Sequence, residues 1–334
     1  MGPRMSSIRY LDYHIPENSV SVDELLSING ENPFIQEMGL ENYIQFFKEQ
    51  SRLERITVYQ DPLEMIKAIK ILIQKLIDTE EIDPSHIKYL VCGNETLLDG
   101  DISIAHYIVE NFKMKNAVII PMTLTCASNL LAMGLSSKLL FDDGQKEYML
   151  IISARKCSDF KGRYVGFTLM GDGLSVILVE NTTGKLNIKN WYSSENGKIS
   201  YGKINENEQS FDMSAIQKHI IPNGVDFIQS SLEKSRVHLE DLQVIIQPNT
   251  NYSVWQMIYP TMLGLEYSPF YLNNIAYGGH INDVDYARNL KDFINYNKDE
   301  KKGHIALYGA NLTPSGDLSY HLCMLEIGEG SELP

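Results

Sequence analysis

Positive charge is in short supply in this sequence: 29 lysines and arginines stand against 43 acidic residues, a formal net charge of −14. Such a surface repels phosphate backbones and anionic lipid heads, so neither nucleic acid nor a membrane is an expected partner. Long apolar runs are also missing. The longest, residues 117–122 and 148–152, fall far short of the roughly 20 residues that cross a bilayer. Cysteine is scarce, and Cys92, Cys126, Cys157 and Cys323 are too scattered for a metal site or a disulfide framework. No metal and no permanently bound cofactor is expected. The sequence shows no basic-then-apolar secretory leader, and a reducing cytoplasm is the expected compartment. The opening Met1-Gly2-Pro3 fits the bare myristoylation pattern, but with no second membrane signal, lipidation is not expected. What the chain does have is apolar residues, 43% of 334, enough for one large core or two ordinary ones.

Two stretches look alike. An amphipathic helix over residues 62–78 leads through Ile82-Asp83-Pro84-Ser85-His86-Ile87 into the apolar run Tyr89-Leu90-Val91-Cys92 and the turn-like Gly93-Asn94-Glu95-Thr96. A second helix over 225–235 leads through Val237-His238-Leu239-Glu240-Asp241-Leu242 into Val244-Ile245-Ile246 and then Gln247-Pro248-Asn249-Thr250-Asn251. Helix, link, buried strand and polar loop thus occur twice, which predicts a duplicated α/β architecture with mostly parallel sheets covered on both faces. Further strands are expected at 117–121, 148–153, 164–170, 174–180 and 305–308. Residues 129–140 read as a helix apolar nearly all round, hence central. The halves, 1–171 and 172–334, meet near residue 172, and polar residues 181–210 read as hairpins and surface loops.

Cys126 lies in Pro121-Met122-Thr123-Leu124-Thr125-Cys126-Ala127-Ser128, between a strand and the central helix. A thiol at the start of a helix faces free backbone N–H groups and the positive end of the dipole, which favour the thiolate and make it a nucleophile. The alternative for any cysteine is a small buried hydrophobe, and Cys92 and Cys323, inside apolar strands, take that reading. Cys157, among charged residues, reads as a surface thiol.

Around Cys126 and along most of its length, the sequence resembles the thiolase fold, and within it the β-ketoacyl-acyl-carrier-protein synthase III-like enzymes. The resemblance runs through Ile15-Pro16-Glu17, Val22-Asp23-Glu24-Leu25, the Ile82-Asp83-Pro84 link, the Cys126 block, Gly171-Asp172-Gly173 and Tyr308-Gly309-Ala310-Asn311. It implies a five-layered αβαβα body built from two similar halves, the first carrying the nucleophile and the second a histidine. It also implies a homodimer, and a cysteine that takes an acyl group from a thioester. Condensing members carry a histidine in a His-Gln-Ala-Asn motif and an asparagine in a Gly-Asn motif, which together support decarboxylation. Here the first aligns with Pro248-Asn249-Thr250-Asn251 and has lost its histidine. The second aligns with Tyr277-Gly278-Gly279-His280, where an imidazole reappears.

His280 is followed by Asp285 and Leu290 in a Gly-His-x4-Asp-x4-Leu pattern. This resembles a subgroup of acyltransferases in natural-product pathways, which pass the acyl group to a hydroxyl or amine. The implied chemistry is a triad: Cys126 attacks, His280 moves the proton and Asp285 orients the ring. From spacing alone His280 is equally a loop histidine bonded to a backbone carbonyl, and Asp283 competes with Asp285 as its partner. The resemblance places oxyanion-hole donors at the backbone of Cys126 and Ala310. Asn251 either contacts the thioester carbonyl or caps the following helix, and Gly171-Asp172-Gly173 is a tight turn with no catalytic role.

The donor is an acyl-phosphopantetheine thioester on a carrier protein or coenzyme A. Relatives that use coenzyme A clamp its adenine between a tryptophan and an arginine. In the corresponding segment, residues 32–40, the tryptophan is missing and Glu37 stands at the arginine position, which favours a carrier-protein donor. Arg155, Lys156, Lys161 and Arg163 are the densest basic group for docking an acidic carrier, or else a solvated face. Three readings remain: an acyltransferase to a small-molecule hydroxyl or amine, a condensing synthase forming a carbon–carbon bond, and a catalytically silent partner subunit.

Overall fold

The computed structural model describes residues 6–93, 103–122, 124, 126–140, 146–196, 219–297, 302–312 and 318–328. The myristoylation pattern at residues 1–5, loop residues 94–96, Thr123 and Thr125 beside Cys126, and residues 197–210 of the expected surface loops lie outside the described residues. Nine strands form one mixed sheet: β1 (Ser6–His14), β4 (Ile87–Gly93), β5 (Val118–Met122), β6 (Tyr148–Arg155), β7 (Gly173–Glu180), β8 (Leu186–Asn196), β9 (Leu242–Ile246), β11 (Gly303–Leu312) and β12 (Leu318–Ile327). Three short strands, β2 (Ser19–Ser21), β3 (Arg55–Thr57) and β10 (Tyr277–Gly278), pair separately. The main helices are α1 (Val22–Ile28), α2 (Pro33–Met38), α3 (Leu40–Ser51), α4 (Pro62–Glu80), α5 (Ile104–Asn111), α6 (Ser128–Leu139), α7 (Ile221–Ser235) and α8 (Val284–Tyr296).

The large sheet runs β5-β4-β6-β7-β1-β8-β12-β11-β9, and its interior is a palindrome. The pair β4/β6 is parallel and answers to the parallel pair β9/β11. Antiparallel β6/β7 and β7/β1 answer to β11/β12 and β12/β8. The repeat read from the sequence extends into the chain closures. Helix α4 ends on left-handed Glu81 (φ 49°) and α7 on left-handed Arg236 (φ 57°). The next N–H in each, Ile82 and Val237, reaches back to the carbonyls of Ile77 (3.3 Å) and Leu232 (3.2 Å), closing both helices by the same motif. A 3-10 turn, Pro84–His86 or Leu239–Asp241, then feeds the strand. The palindrome groups β7 with the first unit and β8 with the second.

Burial sorts the molecule into layers. Helices α4 and α5 cover one face of the first unit through Ile69, Ile73, Leu76 and Ile108 against Leu90, Leu150 and Leu178. Helix α7 covers the matching face of the second unit through Ile228 and Leu232 against Ile245 and Leu322. Between the two units lie α6 and α8, whose Leu130, Met133, Leu290 and Ile294 share one core with Ile151, Ile177, Leu307 and Leu325. Because both faces are covered, Leu90 of β4 enters one core and Val91 the other, which is why such strands read as continuous apolar runs.

Three expectations are corrected. The large sheet is not mostly parallel: five of its eight strand pairings are antiparallel and three parallel, because β6 to β7 and β11 to β12 return alongside each other rather than through a crossover helix. Residues 164–170 are not a strand: Gly166 turns the chain at φ 77°, and only isolated bridges, Tyr164 to Leu169 and Met170 to His280, form there. Within the polar stretch 181–210, β8 is part of the main sheet, paired along its length with β12. Its buried Leu186 and Ile188 alternate with Asn187 and Lys189, and the short apolar content hid it. Among the described residues no helix is long and apolar enough to cross a membrane.

Candidate active site

The central helices α6 and α8 start at the same place from opposite halves of the repeat. Cys126 sits just before α6, half-buried, in a turn closed by Ala127 N–H to Leu124 O (2.7 Å) and Leu124 N–H to Ser128 Oγ (3.1 Å). Its carbonyl accepts a hydrogen bond from Tyr286 Oη of α8 (2.7 Å). The same hydroxyl occupies the space that a Cβ on Gly309 of β11 would need.

His280 arrives on the loop that precedes α8, and its main chain is pinned at both ends. Its N–H donates to Leu169 O (2.9 Å), and its carbonyl accepts from Gly171 N–H (3.0 Å). Backbone presses on backbone there: a Cβ on Gly171 would lie 1.8 Å from Gly278 O. Gly279, at φ 77°, has no room either, with Leu169 O 2.7 Å from its Cβ position. These glycines let the loop sit close enough to aim the ring. His280 Nε2 lies 3.1 Å from Cys126 Sγ, and Nδ1 lies 2.6 Å from Asp285 Oδ2. Asp285 is wholly buried in the first turn of α8, where the helix dipole favours a carboxylate. It also accepts from Asn249 N–H (2.9 Å), Asn249 Nδ2 (3.2 Å) and Ile281 N–H (3.2 Å).

Burial opposes charge on His280, but the Cys126 sulfur and the Asp285 carboxylate outweigh it and push the ring up to about 10. The ring therefore carries its proton at neutral pH in the free protein, 3.1 Å from the Cys126 sulfur. Of the two carboxylates left open by spacing, Asp285 bonds the ring. Asp283 turns to α6, accepting from Asn129 N–H (3.1 Å), and is pushed up to about 7, chiefly by burial.

The other expected site residues are placed differently. Asn251 caps the helical stretch after it, accepting from Val254 N–H (3.3 Å), and donates to Phe167 O (3.3 Å). Ala310 lies in β11 opposite Tyr320, one residue beyond Gly309. Of the basic group, Lys161 is exposed and 3.7 Å from Glu31, and Arg155 and Lys156 are half-buried. Arg163 is a correction: it is 3% exposed and forks onto both oxygens of Asp172 (2.8 Å each), so no docking partner can reach it. Asp172 also accepts from Tyr59 N–H and Cys157 N–H (2.9 Å each), making the Gly-Asp-Gly turn an anchor beneath the His280 loop. Arg163→Ala is expected to destabilise the protein by about 3–5 kcal/mol, because it strands a buried carboxylate. Lys161→Ala should leave urea unfolding unchanged.

Four neighbours were not singled out in the sequence. Asn249, one residue past Pro248, holds Asp285 and is itself held by Asn289 Nδ2 (2.9 Å). The i, i+4 spacing of Asp285 and Asn289 on one helix was the available signal. Tyr286 carried no signal beyond its place next to Asp285. Asn282, left-handed at φ 51°, brings its side-chain oxygen to 3.6 Å from Cys126 Sγ.

No family model matches the chain, and no curated protein matches it. Solved structures do, across nearly all of it. The acyltransferase ChlB3 superposes with a TM-score of 0.74 at 14% identity, covering 97% of this chain and 98% of its own. The 3-oxoacyl-[acyl-carrier-protein] synthase III of Aquifex aeolicus gives 0.74 at 15% identity, covering 96% and 99%. Cerulenin-bound OleA of Xanthomonas campestris gives 0.73 at 11%, covering 97% and 99%. The structural neighbours are thus thiolase-fold enzymes, synthase III and its OleA and ChlB3 relatives in shape. The chain has the α/β thiolase fold, with its αβαβα layers.

Proposed function

We propose that this protein is an acyltransferase that takes an acyl group from a phosphopantetheine thioester onto Cys126 and passes it to a hydroxyl or amine of a small molecule, in a natural-product pathway. The observation that carries the reading is the continuous chain from Cys126 Sγ through His280 to Asp285, with no histidine at Pro248. The sulfur attacks the thioester carbonyl; the backbone N–H groups of Cys126 and Ala310 are the donors proposed for the oxyanion. As the intermediate collapses, the carbon–sulfur bond to the donor breaks and the His280 proton goes to the departing thiolate. Acylation caps Cys126, the largest cause raising the ring, and the ring has just given up its proton, so His280 is now a base. It takes the acceptor's proton as the oxygen or nitrogen attacks, and Cys126 leaves as thiolate beside imidazolium. Asp285 holds the ring in one tautomer throughout.

The donor fits a carrier protein better than coenzyme A, because Glu37 is exposed on α2 at the position where an adenine-clamping arginine is expected. Arg155, Lys156 and Lys161 remain the docking group for that acidic carrier, without Arg163. A homodimer belongs to the same proposal. Condensation is the competing reaction, since synthase III enzymes are among the structural neighbours. Loaded protein incubated with a malonyl thioester is expected to release no carbon dioxide, and with a panel of alcohols and amines to yield ester or amide. Carbon dioxide release would replace this reading with the synthase.

A further inference from the structure

Asp283 is buried to 1% exposure, two residues from the carboxylate that bonds His280, yet the acyl-transfer steps above do not use it. It is bonded to the start of α6. Oδ1 accepts from Asn129 N–H (3.1 Å), and its own carbonyl accepts from Asn129 Nδ2 (3.1 Å). The Asn129 side chain is fixed in turn by Ser153 Oγ, which donates to its Oδ1 (2.7 Å). Ser128, the first residue of α6, also bonds the Asp283 side chain. Gly93 leaves the room for this meeting: a Cβ there would lie 2.8 Å from Ser153 Oγ, 3.0 Å from Ser128 Cβ and 3.3 Å from Asp283 Oδ2. The residue that opens the histidine's helix therefore caps the cysteine's helix. A reciprocal side-chain and main-chain pair joins the two elements whose relative position sets the Sγ to Nε2 distance.

We propose that Asp283 is a positioning residue that clasps the N-terminus of α6 to the His280 loop, and that ionising it tightens the clasp and raises the reactivity of Cys126. The inference rests on Cys126 and His280 acting as the pair described above. A carboxylate at a helix N-terminus accepts from the unpaired N–H groups and meets the positive end of the dipole, whereas a protonated carboxyl has one acceptor oxygen fewer. Burial is the main cause that pushes Asp283 up to about 7, and nearby Asp285 adds to it; Asn129 N–H, Ser128 and the His280 charge pull the other way. The sign follows: below pH 7 the clasp is protonated and loose, above it ionised and tight.

Among the described residues, Ser128 and Asn129 face it from α6, and Gly93 and Ser153 from the sheet. From its own segment come His280, raised to about 10, Asp285, and Tyr286, raised well above the ordinary tyrosine value by burial. Neither His280 nor Tyr286 changes charge between pH 6 and 8.

The test is alkylation by iodoacetamide, read on the Cys126 peptide from pH 5.5 to 8.5, which needs no knowledge of the acyl group. Wild type is expected to show a step of about fivefold centred near pH 7, rising with pH, the size of a coupling somewhat under one pKa unit. Asp283→Asn keeps the size and one acceptor oxygen but cannot ionise, so the step should vanish while the melting curve stays cooperative. Ser128→Ala removes a bond that favours the carboxylate, so the step should move to higher pH. An unchanged step in Asp283→Asn overturns the proposal. If instead Cys126 in wild type alkylates no faster than Cys157, the nucleophile reading has failed, a different outcome from a step that ignores Asp283.

Discussion

His280→Ala is expected to slow acyl loading of Cys126 by at least about a hundredfold while leaving the fold intact. Two losses combine. The sulfur loses the imidazole 3.1 Å away that pairs with it, and the departing thiol loses its proton donor. The Asp285 carboxylate survives the change with its Asn249 and Ile281 donors, so the cavity left by the ring does not strand a bare buried charge. Stopped-flow or quenched loading with an acyl-carrier thioester, beside a thermal melt, separates the catalytic loss from a structural one. A rate within a fewfold of wild type would mean that a group other than His280 moves the proton. The second half-reaction should suffer as well, because the acceptor's proton would have no base at Nε2.

Much of this architecture was legible because it obeys local rules. The repeated helix, link and strand were visible since α4 and α7 carry amphipathic periodicity and each feeds a short apolar strand. The central helix α6 was visible because a helix between two sheets must be apolar nearly all round. Strand β8 was not, since one of its faces is polar enough to imitate a loop, and its place in the sheet is set by pairing with β1 and β12 from far away in sequence. The 164–170 segment failed in the opposite sense: its apolar residues imitate a strand, but Gly166 turns them back to serve the His280 loop.

At the site, the residue types were readable and their partners were not. Cys126 stood out by its position at a helix start, and His280 by the motif around it. Which carboxylate reaches the ring was open, because residues 283 and 285 flank the first turn of the same helix and only the loop's backbone path, fixed by Gly171 and Gly279, decides between them. Arg163 looked like part of a solvated basic face because sequence shows charge and not burial; its partner Asp172 is nine residues on, across a turn. Asn249 was invisible as a support because its role exists only where β9 and α8 meet.

The largest effect belongs to the sulfur itself. Without Cys126 there is no atom at this position able to form a thioester, and the thiols Cys92 and Cys323 are buried in strands, with Cys323 pushed up to about 12 by burial. Cys157 is the one other half-buried thiol among the described residues, and burial pushes it up too, so it is a poor nucleophile at neutral pH. Intact-mass measurement after exposure to acyl-carrier thioesters therefore tests the account most directly. Wild type should gain the mass of a single acyl group that is discharged by an alcohol or amine acceptor, and Cys126→Ala should gain nothing. Equal labelling of the two proteins would contradict the account and move the chemistry away from the meeting point of α6 and α8.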